Sequence, residues 1–339
     1  MANVSVAVLG LGRVGASIVL ALRRYNERKD SPHTFEVTAA DMRAGIRDDA
    51  AKVGLDRLEK DIFTAVRGKD IVVLALPYAD VQDAYKAIAT DLRPGTVVLD
   101  ASPLKQPSLE WASRHLTAEN HMVGIPPILN PAYLFDGLDD TLHARADLFD
   151  KGNMLLMPGP SCIKEAIELA SDFATILGSS PHFFDPVEHD SVAALTEGLP
   201  AVLALASFYM SAKSAGWSDA QRVTNPAFGR LTRHLYDTHP DDLRDLLLNN
   251  RANTVRQIDE LLIVLRTLRE LISAGEQDAL EAALLESSDN YNLWINRRAK
   301  AKWDDAAPAD DGQSVGGMLM NGLMGGFLSR RLQGGKTSK

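Results

Sequence analysis

The sequence predicts an α/β domain with a parallel sheet, followed by an all-α helical domain. Up to about residue 185, short apolar runs alternate with segments of helical pattern. From residue 186 onward, apolar residues recur at steps of three and four, as in long amphipathic helices. The predicted domains are therefore residues 1–185 and 186–303, and a linker with a Gly/Met-rich tail follows over 304–339.

The first strand leads into a glycine-rich turn. The apolar run 4–9 is followed at once by glycines at 10, 12 and 15, and residues 16–24 have a helical pattern. Such glycines permit a tight turn, close approach of backbone N–H groups to a pyrophosphate, and close packing of helix on strand. This predicts a Rossmann-type dinucleotide-binding domain. The residues expected to contact the coenzyme are Gly10, Leu11, Gly12, Arg13, Val14 and Gly15.

The second strand, residues 35–40, ends at Asp41. This carboxylate is placed to accept hydrogen bonds from both hydroxyls of an adenosine ribose and to repel a 2′-phosphate, which favours NAD as cofactor. Arg43 lies close enough to pair with a phosphate, so NADP stays open as an alternative. The polar, proline-containing stretch 26–33 lengthens the preceding loop and accounts for the long spacing from the glycine turn.

Two further apolar runs, 71–76 and 96–100, flank a helical segment at 80–92. Strand, helix, strand indicates parallel pairing. Ligands of such sheets bind beyond the carboxyl ends of the strands, so we expect Leu76, Pro77 and Ser102 to face the coenzyme. Additional strands are predicted at 121–125 and 154–157.

The second domain is predicted to consist of helices at 188–217, 240–273 and 276–303. One apolar stripe requires a buried face, and we expect a partner subunit of a homodimer to cover part of it. The stripe comprises Ile258, Leu261, Leu262, Leu265, Leu268, Leu271 and Ile272.

Composition excludes several classes of function. The 339 residues carry a net charge of −9, which argues against a nucleic-acid partner. The single cysteine, Cys162, cannot form an internal disulfide. No metal site is predicted. The amino terminus lacks the features of a secretion signal, and the longest apolar stretch, 199–210, is too short to span a bilayer. These features predict a cytoplasmic protein that is not membrane-bound.

Later motifs follow one another in a characteristic order. They are Leu-Ala-Leu-Pro at 74–77, Asp100 with Lys105, Val-Gly at 123–124, Glu-His-Asp at 188–190, Leu-Pro at 199–200, Phe228 with Thr232 and Arg233, and the segment 240–251. In this order the chain resembles the prephenate and arogenate dehydrogenase family over residues 4–303. The resemblance implies an NAD(P)-dependent dehydrogenase of a small carboxylated substrate, in which Arg233 binds the carboxylate.

The chain departs from the family at the reaction site. The family block VGxHPM reads Val-Gly-Ile-Pro-Pro-Ile at 123–128, so Pro126 replaces the histidine that accepts the substrate's hydroxyl proton. A proline side chain cannot accept a proton. Pro103 and Ala201 replace a serine and a second histidine, and Asn-Pro-Ala at 130–132 replaces the residues after HPM. We therefore predict a substrate other than prephenate.

Three residues are candidates for the proton transfer that the missing histidine would perform. His189 titrates near neutrality, although it can also simply orient the start of a long helix. Lys105 is close enough to the strand end at Asp100 to reach the crevice, with an exposed loop lysine as the alternative, and Ser102 is the third. Two other functions compete with catalysis: a nucleotide-binding regulator that has lost activity, and a membrane-associated scaffold that uses the tail.

Overall fold

The computed structural model describes residues 2–136 and 139–300. It divides into two compact units, residues 1–251 and residues 252–339. The predicted linker and tail at 304–339 lie outside the described residues. The domain boundary predicted near residue 185 stays a prediction, because the structure groups the helices up to Arg251 with the sheet.

The first unit contains all the strands of the described residues. They are β1 Ala2–Leu9, β2 His33–Ala40, β3 Leu58–Glu59, β4 Ile71–Leu74, β5 Val97–Asp100, β6 His121–Gly124, β7 Pro127–Ile128, β8 Asn153–Pro158 and β9 Ser180–Phe183. The helices that lie between or directly after these strands are α1 Arg13–Asn26, α2 Ala44–Lys52, α3 Ile62–Val66, α4 Tyr78–Ile88, α5 Gln106–His115 and α6 Lys164–Ile176.

The strand order is β3-β2-β1-β4-β5-β6-β8-β7, with β9 paired to β8. The first six strands are parallel, in the 3-2-1-4-5-6 order of a doubly wound dinucleotide fold. Beyond them, β8 runs antiparallel to β6 and β7. The sequence predicted a strand at 154–157, within β8, but neither its antiparallel pairing nor β7. After β3 the chain returns across the sheet to β4, which pairs with β1 on the side away from β2. The strand order therefore reverses between β1 and β4, and ligands of such sheets bind at the carboxyl ends of these two strands.

The side chains of each central strand alternate between two cores. In β1, Val6 and Val8 pack with α1 and α6, whereas Ala7 and Leu9 pack on the opposite face with α3, α4 and α5. Because both faces are covered, the central strands are apolar throughout rather than alternating. This explains why short, continuous apolar runs were sufficient to find them.

The remaining helices of the first unit are α7 Pro186–Ala193, α8 Leu199–Ala212, α9 Trp217–Ala220, α10 Pro226–Thr232, α11 His234–Asp237 and α12 Pro240–Asn249. A π-helical turn, Ala194–Gly198, joins α7 to α8. The resulting segment Pro186–Ala212 is, among the described residues, the one helix long and apolar enough to cross a membrane, with 28% of its most apolar part buried. Such a helix is weak evidence for a membrane, and the predicted absence of membrane binding stays a prediction.

The predicted helix at 240–273 is interrupted. Helix α12 ends before Asn250, and α13 spans Arg251–Ala274. The side-chain amide of Asn250 donates to the carbonyl oxygen of Asp190 at 2.6 Å, which holds the chain out of helical geometry there. Helix α14 spans Gln277–Lys300. Of the predicted apolar stripe, Leu262, Leu265 and Ile272 are exposed in the single chain.

Candidate active site

The glycine turn between β1 and α1 is shaped for an anion. Gly10 has a φ of +90°, and a Cβ there would lie 2.3 Å from the carbonyl oxygen of Ala75, beside Leu76 at the end of β4. Gly12 is the N-cap of α1, and a Cβ on it would meet no described atom within 4 Å. Gly12 makes no side-chain hydrogen bond to this helix, whose amino-terminal end carries the partial positive charge that favours a pyrophosphate.

Arg13 begins α1 beside this turn, and its side chain is buried. It donates from Nη1 to Oδ1 of Asp136 at 2.9 Å and lies over the ring of Tyr133, 5.6 Å from its centroid. The Thr141 hydroxyl donates to the carbonyl oxygen of Leu11 at 2.6 Å. The segment around these residues therefore packs onto the glycine turn. Val14 packs partly buried against the core, and Pro77 is the N-cap of α4 at the opposite side of the crevice.

Asp41 lies at the end of β2, opposite the glycine turn. Its Oδ2 accepts from the backbone N–H of Leu11 at 3.0 Å, and Arg43 donates to both carboxylate oxygens. Burial opposes ionisation, but the hydrogen bonds from Arg43 and Leu11 hold the pKa of Asp41 below its ordinary value. Asp41 and Arg43 thus lie next to each other at the carboxyl end of β2, and their predicted role in binding the adenosine ribose stays a prediction.

A buried polar network fills the end of β5. The ammonium of Lys105 donates to the carbonyl oxygen of Asp100 at 2.9 Å, to its Oδ1 at 3.0 Å and to Oγ of Ser102 at 3.1 Å. Tyr85 donates to the other carboxylate oxygen of Asp100 at 2.7 Å. Desolvation works against ionised Asp100, but the positive charge of Lys105 keeps the pKa of that carboxyl below its ordinary value.

Lys105 is fully buried, so the alternative of an exposed loop lysine is wrong. An ammonium has three N–H donors, and all three have acceptors within this network. Gly124 of β6 leaves room for the lysine stem, since a Cβ there would lie 2.6 Å from Cδ of Lys105. The Asp100–Lys105 and Val-Gly motifs of the sequence are therefore parts of one packing arrangement.

Asp190 connects this network to the start of α7. Its carboxylate accepts from the backbone N–H of Lys105 at 2.8 Å and of Gln106 at 2.9 Å, which caps the amino terminus of α5. His189 is buried, its Nδ1 lies 2.9 Å from Oδ1 of Asp190, and its ring meets that of Phe184 edge to face. The structure thus brings Ser102, Lys105 and His189 together around two carboxylates.

Arg233 lies elsewhere, in a groove of 770 Å³. Its Nε donates to Oδ2 of Asp237 at 2.7 Å, and its guanidinium lies over the ring of Tyr236. The groove also has Arg230 and apolar or aromatic walls from Phe135, Phe208 and Leu235. None of the three proton-transfer candidates is among its described lining residues. The groove thus combines two arginines, an apolar wall and one carboxylate, that of Asp136, which also pairs with Arg13.

Two family models match this chain. The nucleotide-binding domain of prephenate dehydrogenase matches residues 21–180, and its dimerization domain matches residues 185–286. The chain belongs to the prephenate dehydrogenase family. The predicted resemblance and the predicted fold class are thereby confirmed.

Individual relatives support the same family. A cyclohexadienyl dehydrogenase from Zymomonas mobilis is 25% identical, over 83% of this chain and 93% of the relative. A prephenate dehydrogenase from Bacillus subtilis is 22% identical, over 81% of this chain and 72% of the relative. The crystal structure of prephenate dehydrogenase from A. aeolicus, with hydroxyphenyl propionate and NAD+, superimposes with a TM-score of 0.70 at 19% identity, covering 86% of this chain and 98% of that one.

Two acidic residues with raised pKa values, Glu197 and Asp139, were not predicted from the sequence. Glu197 lies in the π-helical turn, a feature often found at functional sites. Its side chain is exposed to solvent. Desolvation by the surrounding protein is the larger cause of its raised pKa, and the negative charge of Asp139 is the second cause. The side chain of Asp139 is also exposed, but desolvation by the protein around it raises its pKa to about 6, although the charge of Arg13 opposes this. No local pattern marks either residue, because a π turn and a long-range charge contact are set by tertiary packing.

Proposed function

We propose that this member of the prephenate dehydrogenase family is an NAD-dependent dehydrogenase of a small carboxylated substrate other than prephenate. The observation that carries the proposal is the uncapped amino terminus of α1, which faces the crevice between β1 and β4 beside Asp41. A bound nicotinamide supplies the hydride acceptor. The residues of this chain hold the coenzyme and the substrate and move the proton.

The groove around Arg233 supports an anionic substrate. In the described structure Arg233 pairs with Asp237, and its side chain is 49% exposed. Exposed ion pairs of this kind contribute only about 0–1 kcal/mol, so a substrate carboxylate can displace Asp237 at little cost. The planar guanidinium then binds the carboxylate through two parallel hydrogen bonds.

The proton requires a group other than Pro126. The donors of Lys105 are all used, and Ser102 Oγ accepts from Lys105 while lying 2.8 Å from Ser108 Oγ. These contacts suit both residues to holding Asp100 and the strand end in place. His189 has one ring nitrogen beside the carboxylate of Asp190, the arrangement that orients an imidazole for proton transfer. We therefore assign the proton transfer to His189 and positioning roles to Ser102 and Lys105. Because His189 is not among the described residues that line the Arg233 groove, this assignment requires a substrate that extends beyond the groove.

We also propose a cytoplasmic homodimer. Apolar side chains on α8, α13 and α14 are exposed in the single chain, among them Met210, Ile272 and Leu284. The match of residues 185–286 to a dimerization domain supports their burial between two copies. Sedimentation at micromolar concentration tests the oligomeric state, and a monomer would contradict this part of the proposal.

Turnover tests the enzymatic proposal. Purified protein with NAD+ is assayed for NADH formation on a panel of cyclic, hydroxy and keto acids that includes prephenate and arogenate. We expect turnover of an acid other than prephenate, and Arg233→Ala is expected to raise its KM by about tenfold or more, since a charge-assisted pair is lost. Arg67→Ala, which removes another exposed arginine, paired with Asp91, serves as the control. Prephenate as the preferred substrate would contradict the proposed specificity.

A second candidate function follows from Pro126 alone. A chain that has lost its proton acceptor can still bind coenzyme and act as a nucleotide-dependent regulator. Binding of NADH without turnover of any acid on the panel, unchanged in His189→Gln, would favour this function over the first. Absence of coenzyme binding would contradict both.

A further inference from the structure

The carboxylate of Asp41 has its hydrogen-bonding positions filled. Oδ1 accepts from the backbone N–H of Arg43 at 2.9 Å and from its Nε at 3.0 Å. Oδ2 accepts from Nη2 of Arg43 at 2.8 Å and from the N–H of Leu11 at 3.0 Å. An ionised carboxylate has about four lone-pair positions. Three of the four donors that occupy them belong to Arg43.

This arrangement affects the ribose of the coenzyme. The 2′- and 3′-hydroxyls of NAD donate to a carboxylate at the end of the second strand. Asp41 is only 3% exposed and cannot turn toward new donors, whereas the guanidinium of Arg43 is 51% exposed. NAD must therefore displace the guanidinium of Arg43 before both hydroxyls can bind Asp41.

A 2′-phosphate meets a different surface. The exposed guanidinium of Arg43 lies in front of the carboxylate, and a second arginine, Arg47, is held 2.6 Å from the carbonyl oxygen of Asp41. Arginine binds phosphate through its planar fork, so these groups favour NADP where bare Asp41 would repel it. Asp80 and Asp242 act on the same guanidinium and limit this preference.

We propose that Arg43 sets the choice of coenzyme: it competes with the ribose of NAD for Asp41 and gives NADP(H) access to the same site. The inference rests on the proposed function, since it concerns the coenzyme of that site. It assigns to Arg43 a discriminating role rather than one of general coenzyme binding. Removing the side chain should therefore change the two affinities in opposite directions.

The test is the binding of NADH and NADPH, measured by calorimetry on wild type and Arg43→Ala. We expect Arg43→Ala to tighten NADH about threefold, because Asp41 becomes free for the diol, and to weaken NADPH about tenfold, because a charge-assisted phosphate contact is lost. Arg67→Ala, an arginine at the opposite end of the sheet, should change neither affinity. Because Arg43→Ala removes two donors from the buried carboxylate of Asp41, the melting temperature of the variant is measured first and the affinities are compared at a temperature where both proteins are folded.

The outcomes separate this inference from the proposed function. A shift of the NADPH/NADH affinity ratio of about tenfold or more toward NADH, with NADH bound no more weakly than by wild type, supports the inference. A smaller shift, or weaker NADH binding in Arg43→Ala, overturns it while wild-type binding upholds the coenzyme site. Failure of the wild type to bind either coenzyme overturns both.

Discussion

Replacing Lys105 by methionine is the perturbation that most directly tests the buried network. The variant fills a similar volume but removes the positive charge and the three donors that contact Asp100 and Ser102. Asp100 is fully buried and keeps only neutral donors, from Tyr85 and the backbone of Ser102. Removing one partner of a buried ion pair typically costs about 3–5 kcal/mol.

The pKa of Asp100 limits this cost and gives it a pH dependence. Without Lys105, the folded state can take up a proton at Asp100 rather than keep an unpaired charge. Relative to an unfolded pKa of about 3.9, this protonation costs about 4 kcal/mol at pH 7 and about 1.5 kcal/mol at pH 5. In the wild type, Lys105 holds the pKa of Asp100 below its ordinary value, so no matching gain occurs between pH 7 and pH 5.

Urea unfolding of the full chain, followed by circular dichroism at the two pH values, measures the difference. We expect Lys105→Met to be less stable than wild type by about 4 kcal/mol at pH 7, and by less than half of that at pH 5. The double variant Lys105→Met/Asp100→Asn should recover about 2 kcal/mol or more at pH 7, because no charge remains buried. A cost that is below about 1 kcal/mol at pH 7, or that is equal at both pH values, would refute an ionised Asp100–Lys105 pair.

Three further predictions concern the turn and its surroundings. Gly12→Ala is expected to weaken NADH binding about tenfold at unchanged melting temperature. Gly10→Ala should lower the free energy of unfolding by about 2 kcal/mol or more, because its methyl group would lie 2.3 Å from a backbone oxygen. Calorimetry and thermal unfolding measure both variants, and a stability loss in Gly12→Ala with none in Gly10→Ala would contradict this. NADH affinity is expected to rise about threefold from pH 7.5 to pH 5.5 as Asp139 takes up a proton near the phosphate-binding turn, and a flat wild-type profile, or one unaltered by Asp139→Asn, would count against it. Asp190→Ala should cost about 2 kcal/mol in urea unfolding, since two amides of α5 lose their acceptor, and a loss below about 0.5 kcal/mol would rule out that capping role. The charged groups that face Asp139 are Arg13, Asp136, Asp140, Asp237 and Glu197.

The sequence predicted the parallel half of the fold because that half depends on local signals. Gly15 is required by a close contact with the carbonyl oxygen of Gly10 within one strand-turn-helix unit, and the central strands are apolar on both faces. The apolar run at 154–157 predicted the strand β8, but no local signal gave its antiparallel pairing or the strand β7. The two strands pair across about 25 positions of sequence, and β7 has only two residues.

The site was predicted less completely for a related reason. The residues at the strand ends, Asp41 and Asp100, were found because topology fixes where a parallel strand ends. What each carboxylate binds is decided by side chains from other segments. Arg43 saturates Asp41 and Lys105 saturates Asp100, and neither arrangement follows from residue spacing.

The family motifs therefore differ in what they say about activity. Lys105 needs the glycine at 124 for space, Asp100 needs the charge of Lys105, and Asp190 needs the amides of α5, so these residues depend on one another for folding whatever reaction takes place. The carbonyl oxygen of the buried Pro126 accepts from the backbone N–H of Leu155 at 3.2 Å, and Pro126 takes no part in the hydrogen bonds described for this network. A match in the buried motifs accordingly shows shared architecture. The exposed fork of Arg233 and the open turn at Gly12 are where shared chemistry has to be tested.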